Sequence, residues 1–348
     1  MVKFNKIMIL LNFIYITFIK CLKYCGIGQT IYNVSFPPIR NNYDIDTNNF
    51  YPIRIYLDTS LLERMKSNLD INEYNNMINS LNEVVGHVEK LIKVKPLNYK
   101  IAIRNEDLKA WNLENINEDL KENNGVPKDL VVIIKTIIAS SSSSYQASFE
   151  HKYIDRDSKR PIVATLTLNL NFDFDLDESN QYLKTMILHQ FTHILGFYNQ
   201  SFPNFQIANG DISKIITTLD SDRRSNVKRE YIHSPKVMEY VKKYYGCDET
   251  IVGLDLEDQD GRTNSHWDAR VLLGEYMNSE PYYPEQVISE FTLALLEDSG
   301  WYEINYYTGG LMRYGKHKGC KFLIDDCSNP SMFKNEFFNL DESSETPS

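Results

Sequence analysis

The sequence predicts an α+β fold. A twisted mixed sheet with two packed helices forms the N-terminal half, and a mostly helical, irregular subdomain forms the C-terminal half. Three observations carry this. Period-two segments recur between residues 52 and 172, and apolar residues repeat at three and four from about Asp70 to Lys93. After residue 198, alternation gives way to helical fragments separated by polar loops. Of the 348 residues 42% are hydrophobic and 12% aromatic, ample for a core. The net charge of −10 leaves no basic surplus for phosphates, which excludes nucleic acid as the main partner. Only one stretch approaches the ~20 apolar residues of a spanning helix, which excludes a multi-pass membrane protein.

That stretch opens the chain. Lys3 and Lys6 precede a nearly continuous apolar run from Ile7 to Ile19, the pattern of a secretory signal. Residues 1–25 are therefore expected to be removed, leaving a secreted or cell-surface chain without a membrane span. Residues 26–50 read as a short pro- or linker-like segment. Secretion permits disulfides among Cys21, Cys25, Cys247, Cys320 and Cys327. Cys320 and Cys327 are spaced to close a short loop, Cys247 has no evident nearby partner, and the connectivity stays open. Asn33-Val34-Ser35 and Asn199-Gln200-Ser201 match glycosylation acceptors.

The N-terminal subdomain is placed at residues 51–197. Pro52 to Leu57 alternates as a strand, and Tyr74, Met77, Ile78, Leu81, Val84, Val85, Val88 and Leu91 line one helical face. Leu97–Ile103 and Leu130–Ile138 read as strands, with 104–128 a polar connection between them. Ser140–Ser144 reads as a surface loop. Leu166, Leu168, Leu170 and Phe172 alternate with Thr165, Thr167, Asn169 and Asn171, giving a strand with one apolar and one polar face. A helix is expected from about Glu178 to Leu195, stopped by Gly196. The C-terminal subdomain is placed at 198–340, ahead of a polar tail at 341–348. In it, Ser234-Pro235 opens a helix closed by Gly246, and a second helix spans Glu285–Ser299.

Residues 189–197 read His-Gln-Phe-Thr-His-Ile-Leu-Gly-Phe. Histidines four apart share a helix face, so His189 and His193 can both reach one Zn²⁺ ion at ~2.0–2.1 Å. Gly196 lets the chain leave the helix sharply. The plainer reading is two histidines that only pack a helix. A catalytic zinc needs a third ligand, and His233, His266 and His317 are the downstream candidates. His233 precedes a helix cap and His317 lies in a Lys- and Gly-rich loop. His266 stands in Asn-Ser-His-Trp-Asp, eleven residues before Met277, a residue suited to an apolar floor under three imidazoles.

These residues resemble the leishmanolysin-like zinc metalloendopeptidases, a branch of the metzincins. Carrying the resemblance are the 189–197 helix, the 73-position separation of His193 and His266, and the Ser-His-Trp segment with Met277. Further matches are Pro52–Tyr56, Arg160-Pro161, Gly253–Gln259, Tyr282-Tyr283, Asp298–Tyr302 and Gly319–Phe322, covering roughly residues 50–330. The resemblance implies a metzincin-like fold and zinc held by His189, His193 and His266, with Gly196 and Met277 supporting the site. It also implies a polypeptide substrate lying extended along the strand 163–172. At position 199, where other metzincins place a third histidine, stands Asn199. Members are often longer, with a cysteine-rich C-terminal region, and use a prosegment cysteine for latency; Cys25 has two readings, a remnant of that device or a residue that merely flanks the signal boundary.

One departure matters most. The family carries glutamate beside the first histidine, as the base that takes a proton from the attacking water and passes it to the leaving amine. Here Gln190 occupies that place, and a neutral amide cannot take the proton. The expectation is therefore an impaired peptidase. The alternative is a non-catalytic secreted or cell-surface protein that binds peptide or serves adhesion, with or without zinc.

Overall fold

In the computed structural model, residues 25–27, 35–37, 43–138, 146–170, 181–219, 229–248, 251–257, 265–279, 286–306, 310 and 312–324 are described. Residues 1–24 of the expected signal, the Ser140–Ser144 loop, Phe172, the helix start at Glu178, Tyr282-Tyr283, Cys327 and the tail lie outside the described residues. The chain divides into two units, Met1–Leu195 with Ser279–Glu285, and Gly196–Asn278 with Gln286–Ser348. It is a mixed α and β structure.

The first unit is built on strands β1 (Cys25–Ile27), β3 (Ile55–Asp58), β5 (Leu130–Ile137), β6 (Ala147–Ile154) and β7 (Pro161–Asn169), in the order β1-β6-β7-β5-β3. The pairings β3–β5, β5–β7 and β1–β6 are parallel, whereas β6–β7 is antiparallel. A short antiparallel pair joins β2 (Tyr51–Pro52) to β4 (Ile92–Val94). Two helices follow the sequence pattern. Helix α2 (Ile71–Leu91) comes after the short α1 (Ser60–Arg64). It is capped by the Asp70 carboxylate, which accepts from the Asn72 and Glu73 amides, and it buries Tyr74, Met77, Leu81, Val84, Val88 and Leu91. Helix α4 (Gln181–Leu195) comes after the short α3 (Asn105–Ala110). It is buried nearly all round and packs on α2, β6 and β7, with Lys184 paired to Glu83 at 2.6 Å.

Three expectations in this unit are corrected, and the two-faced character of β7 is refined. Leu97–Ile103 is not a strand; Ile101 and Ile103 make only isolated bridges, to Val126 and Lys121. The polar connection is not merely polar, because Leu108, Leu113, Ile116, Leu120 and Val126 pack against Val131, Ile133 and Val163 to cover one sheet face. The polar face of β7 is buried at Thr165 and Asn169; Thr165 pairs with Ile133, on the side that the 108–126 cover closes. Nor can β7 add a peptide at a sheet edge, since β5 and β6 already hydrogen-bond along both its sides.

Strand β6 itself escaped notice in the sequence, although its buried positions alternate. A bulge between His151 and Tyr153 inserts Lys152 opposite the Ala164–Val163 step. It lets Phe149 and His151 face α4 while Tyr153 joins the cluster on the other side.

In the second unit, β8 (Ile216–Leu219), β9 (Arg229–Ile232) and β10 (Leu254–Asp255) form an antiparallel sheet. Helix α5 (Pro235–Tyr245) starts at Ser234-Pro235 and ends on left-handed Gly246, as expected. Its first free amides, of Lys236 and Val237, donate to the buried Asp298 carboxylate. Beyond the short α6 (Ala269–Leu272), helix α7 is shorter than its apolar spacing suggested, Glu290–Asp298, with Ser289 as N-cap. Val287 instead bridges Glu275. The chain continues through β11 (Tyr302–Ile304) to α8 (Cys320–Ile324). Among the described residues Cys320 is bonded to Cys247, which corrects the short Cys320–Cys327 loop. A bond between residues 73 apart leaves no local spacing signal. Among the described residues no helix is long and apolar enough to cross a membrane.

Candidate metal centre

Helix α4 sets the first part of the site. His189 and His193 are both wholly buried, with their Nε2 atoms 3.0 Å apart and rings nearly perpendicular at 82°. Two imidazole nitrogens on one tetrahedral zinc stand about 3.3 Å apart, given bonds of ~2.0–2.1 Å. The pair therefore already has nearly the separation of two ligands. Phe149 stacks on His193 with centroids 5.0 Å apart, and His151 Nε2 lies 2.9 Å from the Ile194 carbonyl oxygen. Burial pushes the His151 imidazole down to about 4, so this ring stays neutral and donates to that carbonyl. Gln190, next to His189 on the same helix, is also wholly buried.

The helix ends where glycine is needed. Gly196 has φ +129°, and a Cβ there would lie 2.9 Å from the Trp301 ring. Only a residue without a side chain fits both the backbone and that contact.

His266 sits in a heavily bonded segment of the second unit. Its carbonyl accepts from the Glu257 amide at 3.0 Å. The Ser265 hydroxyl accepts from the backbone amide of Asn199 at 3.1 Å. Trp267, fully buried, packs on Phe197 with centroids 4.9 Å apart. Its amide donates to the Met277 carbonyl at 3.0 Å, and the Asn278 side-chain amide donates to the Trp267 carbonyl at 3.0 Å. Met277 is itself fully buried.

Of the three candidate third histidines, His266 joins the pair. The ligand atoms of His189, His193 and His266 all lie within 4.8 Å of one another, and all three residues are buried. His233 instead lies 3.0 Å from the Ser213 carbonyl oxygen, and His317 sits in an exposed turn with φ 59°. Three imidazoles suit zinc among the borderline divalent metals and leave a fourth position for another oxygen or nitrogen. Glu275 is fully buried, with burial pushing its carboxyl up to about 7 against the opposing pull of its hydrogen-bond donors. It accepts from the Met277 amide and, at the start of helix α7, from the Thr292 and Ser289 hydroxyls. Sequence reasoning missed Phe149 and His151, for which the period-two pattern of 147–154 was the available signal. It also missed the Thr292 and Ser289 partners of Glu275, for which there was none.

A buried set of nitrogen donors able to hold a metal ion, in a mixed α and β chain, defines the class. The chain belongs to the leishmanolysin family, whose model matches residues 75–344. A leishmanolysin-like peptidase of Drosophila pseudoobscura pseudoobscura is 34% identical over 137 residues, 38% of this chain and 20% of that protein. The ciliated left-right organizer metallopeptidase of Danio rerio is 30% identical over 154 residues, 43% of this chain and 24% of that protein. A leishmanolysin homolog of Crithidia fasciculata is 31% identical over 163 residues, 45% of this chain and 23% of that protein. The chain thus spans about a fifth to a quarter of the length of these relatives.

Proposed function

We propose that this chain is a leishmanolysin-type zinc protein that binds polypeptide in a metzincin-like cleft and cleaves it poorly or not at all. His189, His193 and His266 are the zinc ligands, Gly196 and Met277 support them, and Gln190 stands where the general base would be. The observation that carries the reading is the mutual approach of three buried imidazole ligand atoms within 4.8 Å. Zinc held there would polarise a peptide carbonyl and acidify water. The chain's own side chains must then move the proton. Gln190 can orient a water by donating and accepting hydrogen bonds, but its amide does not accept a proton to pass to a leaving amine. General acid–base help is typically worth ~10²–10⁴-fold, and this family uses one residue for both steps.

A site that positions peptide without cutting is a receptor, so a binding or adhesion role is the second reading, favoured by glutamine at position 190. Secretion or surface exposure fits the disulfide between Cys247 and Cys320, because such bonds persist in oxidising compartments.

The test pairs metal content with peptide hydrolysis, before and after Gln190→Glu. The expected result is bound zinc in both proteins, with hydrolysis gained by ~10²–10⁴-fold in the variant. Strong cleavage by the unaltered chain, abolished by His193→Ala, would overturn the impairment.

A further inference from the structure

Glu275 is a wholly buried carboxylate for which the zinc reading has no use. Its Oε1 takes the Thr292 hydroxyl at 2.6 Å, the Ser289 hydroxyl at 2.8 Å and the Ser289 amide at 3.3 Å. Its Oε2 takes the Met277 amide. The direction of the key bond is fixed by chemistry. Trp267 Nε1 can only donate, and it lies 2.8 Å from Thr292 Oγ1. Thr292 accepts there, so its own proton goes to Glu275. In its ionised form the side chain thus offers both oxygens as acceptors to these four donors. An amide at this position would turn an N–H₂ group against either the Met277 amide or the two hydroxyls. The arrangement calls for an acceptor-only group, and the first turn of α7 adds favourable partial charge to an anion placed there.

The donors come from three separate stretches of chain. Thr292 and Ser289 belong to the start of α7, Met277 to the turn, and Trp267, through Thr292, to the segment carrying His266. The Trp267 backbone is bonded on both sides to Met277 and Asn278, and the His266 carbonyl is held by Glu257. The backbone around His266 thus has little freedom while the carboxylate is in place.

We propose that Glu275 is a positioning residue for the metal centre: it holds Trp267 through the Thr292 hydroxyl, and Met277 through its amide, so that the His266 imidazole is presented in one pose. This rests on the reading of His266 as a ligand.

The experiment uses the full chain and four variants: Glu275→Gln, Thr292→Val, Thr292→Ser, and Leu81→Ala in the core of the other unit. Zinc affinity is measured by chelator competition, and the ligand field by the visible absorption of the Co²⁺-loaded protein. Glu275→Gln and Thr292→Val should weaken zinc binding by roughly 10–100-fold, as loss of supporting partners around a ligand commonly does, and should change the cobalt bands. Thr292→Ser, which keeps the hydroxyl, should restore both. Leu81→Ala should lower thermal stability and leave affinity and spectrum alone. If Glu275→Gln fails to fold, the Thr292→Val and Thr292→Ser pair decides. A wild-type chain that binds no zinc overturns the ligand reading and this inference with it. Tight zinc binding with an unchanged cobalt spectrum in Thr292→Val overturns the positioning role alone.

Discussion

At position 190 the sequence shows a glutamine, and the amide's inability to take a proton is plain chemistry; that a base belongs there comes from the family resemblance alone. His151 was not legible, since a lone histidine acquires meaning only from what surrounds it. Its burial against α4 holds its proton affinity near 4, against an unfolded value of 6.5. Between those values the unfolded chain binds more protons than the folded one. The stability this ring contributes is therefore complete above pH 6.5 and is lost as pH falls towards 4. The shift corresponds to about 3 kcal/mol at the acid end. Urea unfolding at pH 7 and pH 4.5 should show wild type losing about 2–3 kcal/mol more than His151→Gln, whose amide keeps a donor for the Ile194 carbonyl but does not titrate. Equal losses in the two proteins would contradict the account of this ring.

The elements most visible in the sequence are those whose period is repeated often enough to exceed noise. Helix α2 shows its buried face over several turns, and β5, β7 and α5 announce themselves through runs or caps. What failed were features set by non-local partners. Leu97, Ile101 and Ile103 carry the apolar content of a strand, yet they pack as an irregular cover on the sheet. Val287 has helical spacing but pairs with Glu275 instead. Two glycines separate geometry from composition. Gly196→Ala forces a Cβ onto Trp301 from a left-handed backbone, and should cost roughly 1–3 kcal/mol for strain, with overpacking adding to it. Gly86 lies inside α2 with nothing within 4 Å of its would-be Cβ. Gly86→Ala should stabilise the protein by about 0.5–1 kcal/mol. Chemical denaturation of the two variants measures both signs.

At the scale of the whole molecule, family membership was legible because its residues recur in order across most of the chain, and the family model spans residues 75–344. The Cys247–Cys320 pairing was not, because only the fold brings the two cysteines together. The loop it closes contains His266, Met277 and all of α7. Cys247→Ala with Cys320→Ala should destabilise by about 4 kcal/mol from loop entropy, a loss read from the shift in denaturation midpoint. If zinc ties the same region, its presence should offset part of that loss.

The central claim is that three imidazoles hold one zinc ion. Elemental analysis of the chain and of His266→Ala, both purified without chelator, tests it most directly when each is also melted with and without added zinc. The account predicts bound zinc in the natural chain and little in the variant. Zinc at 100–1,000 times its dissociation constant should stabilise the first by about 2.7–4.1 kcal/mol and leave the second unmoved. A natural chain that carries no zinc, gains no thermal protection from it and tolerates His266→Ala unchanged would contradict the account.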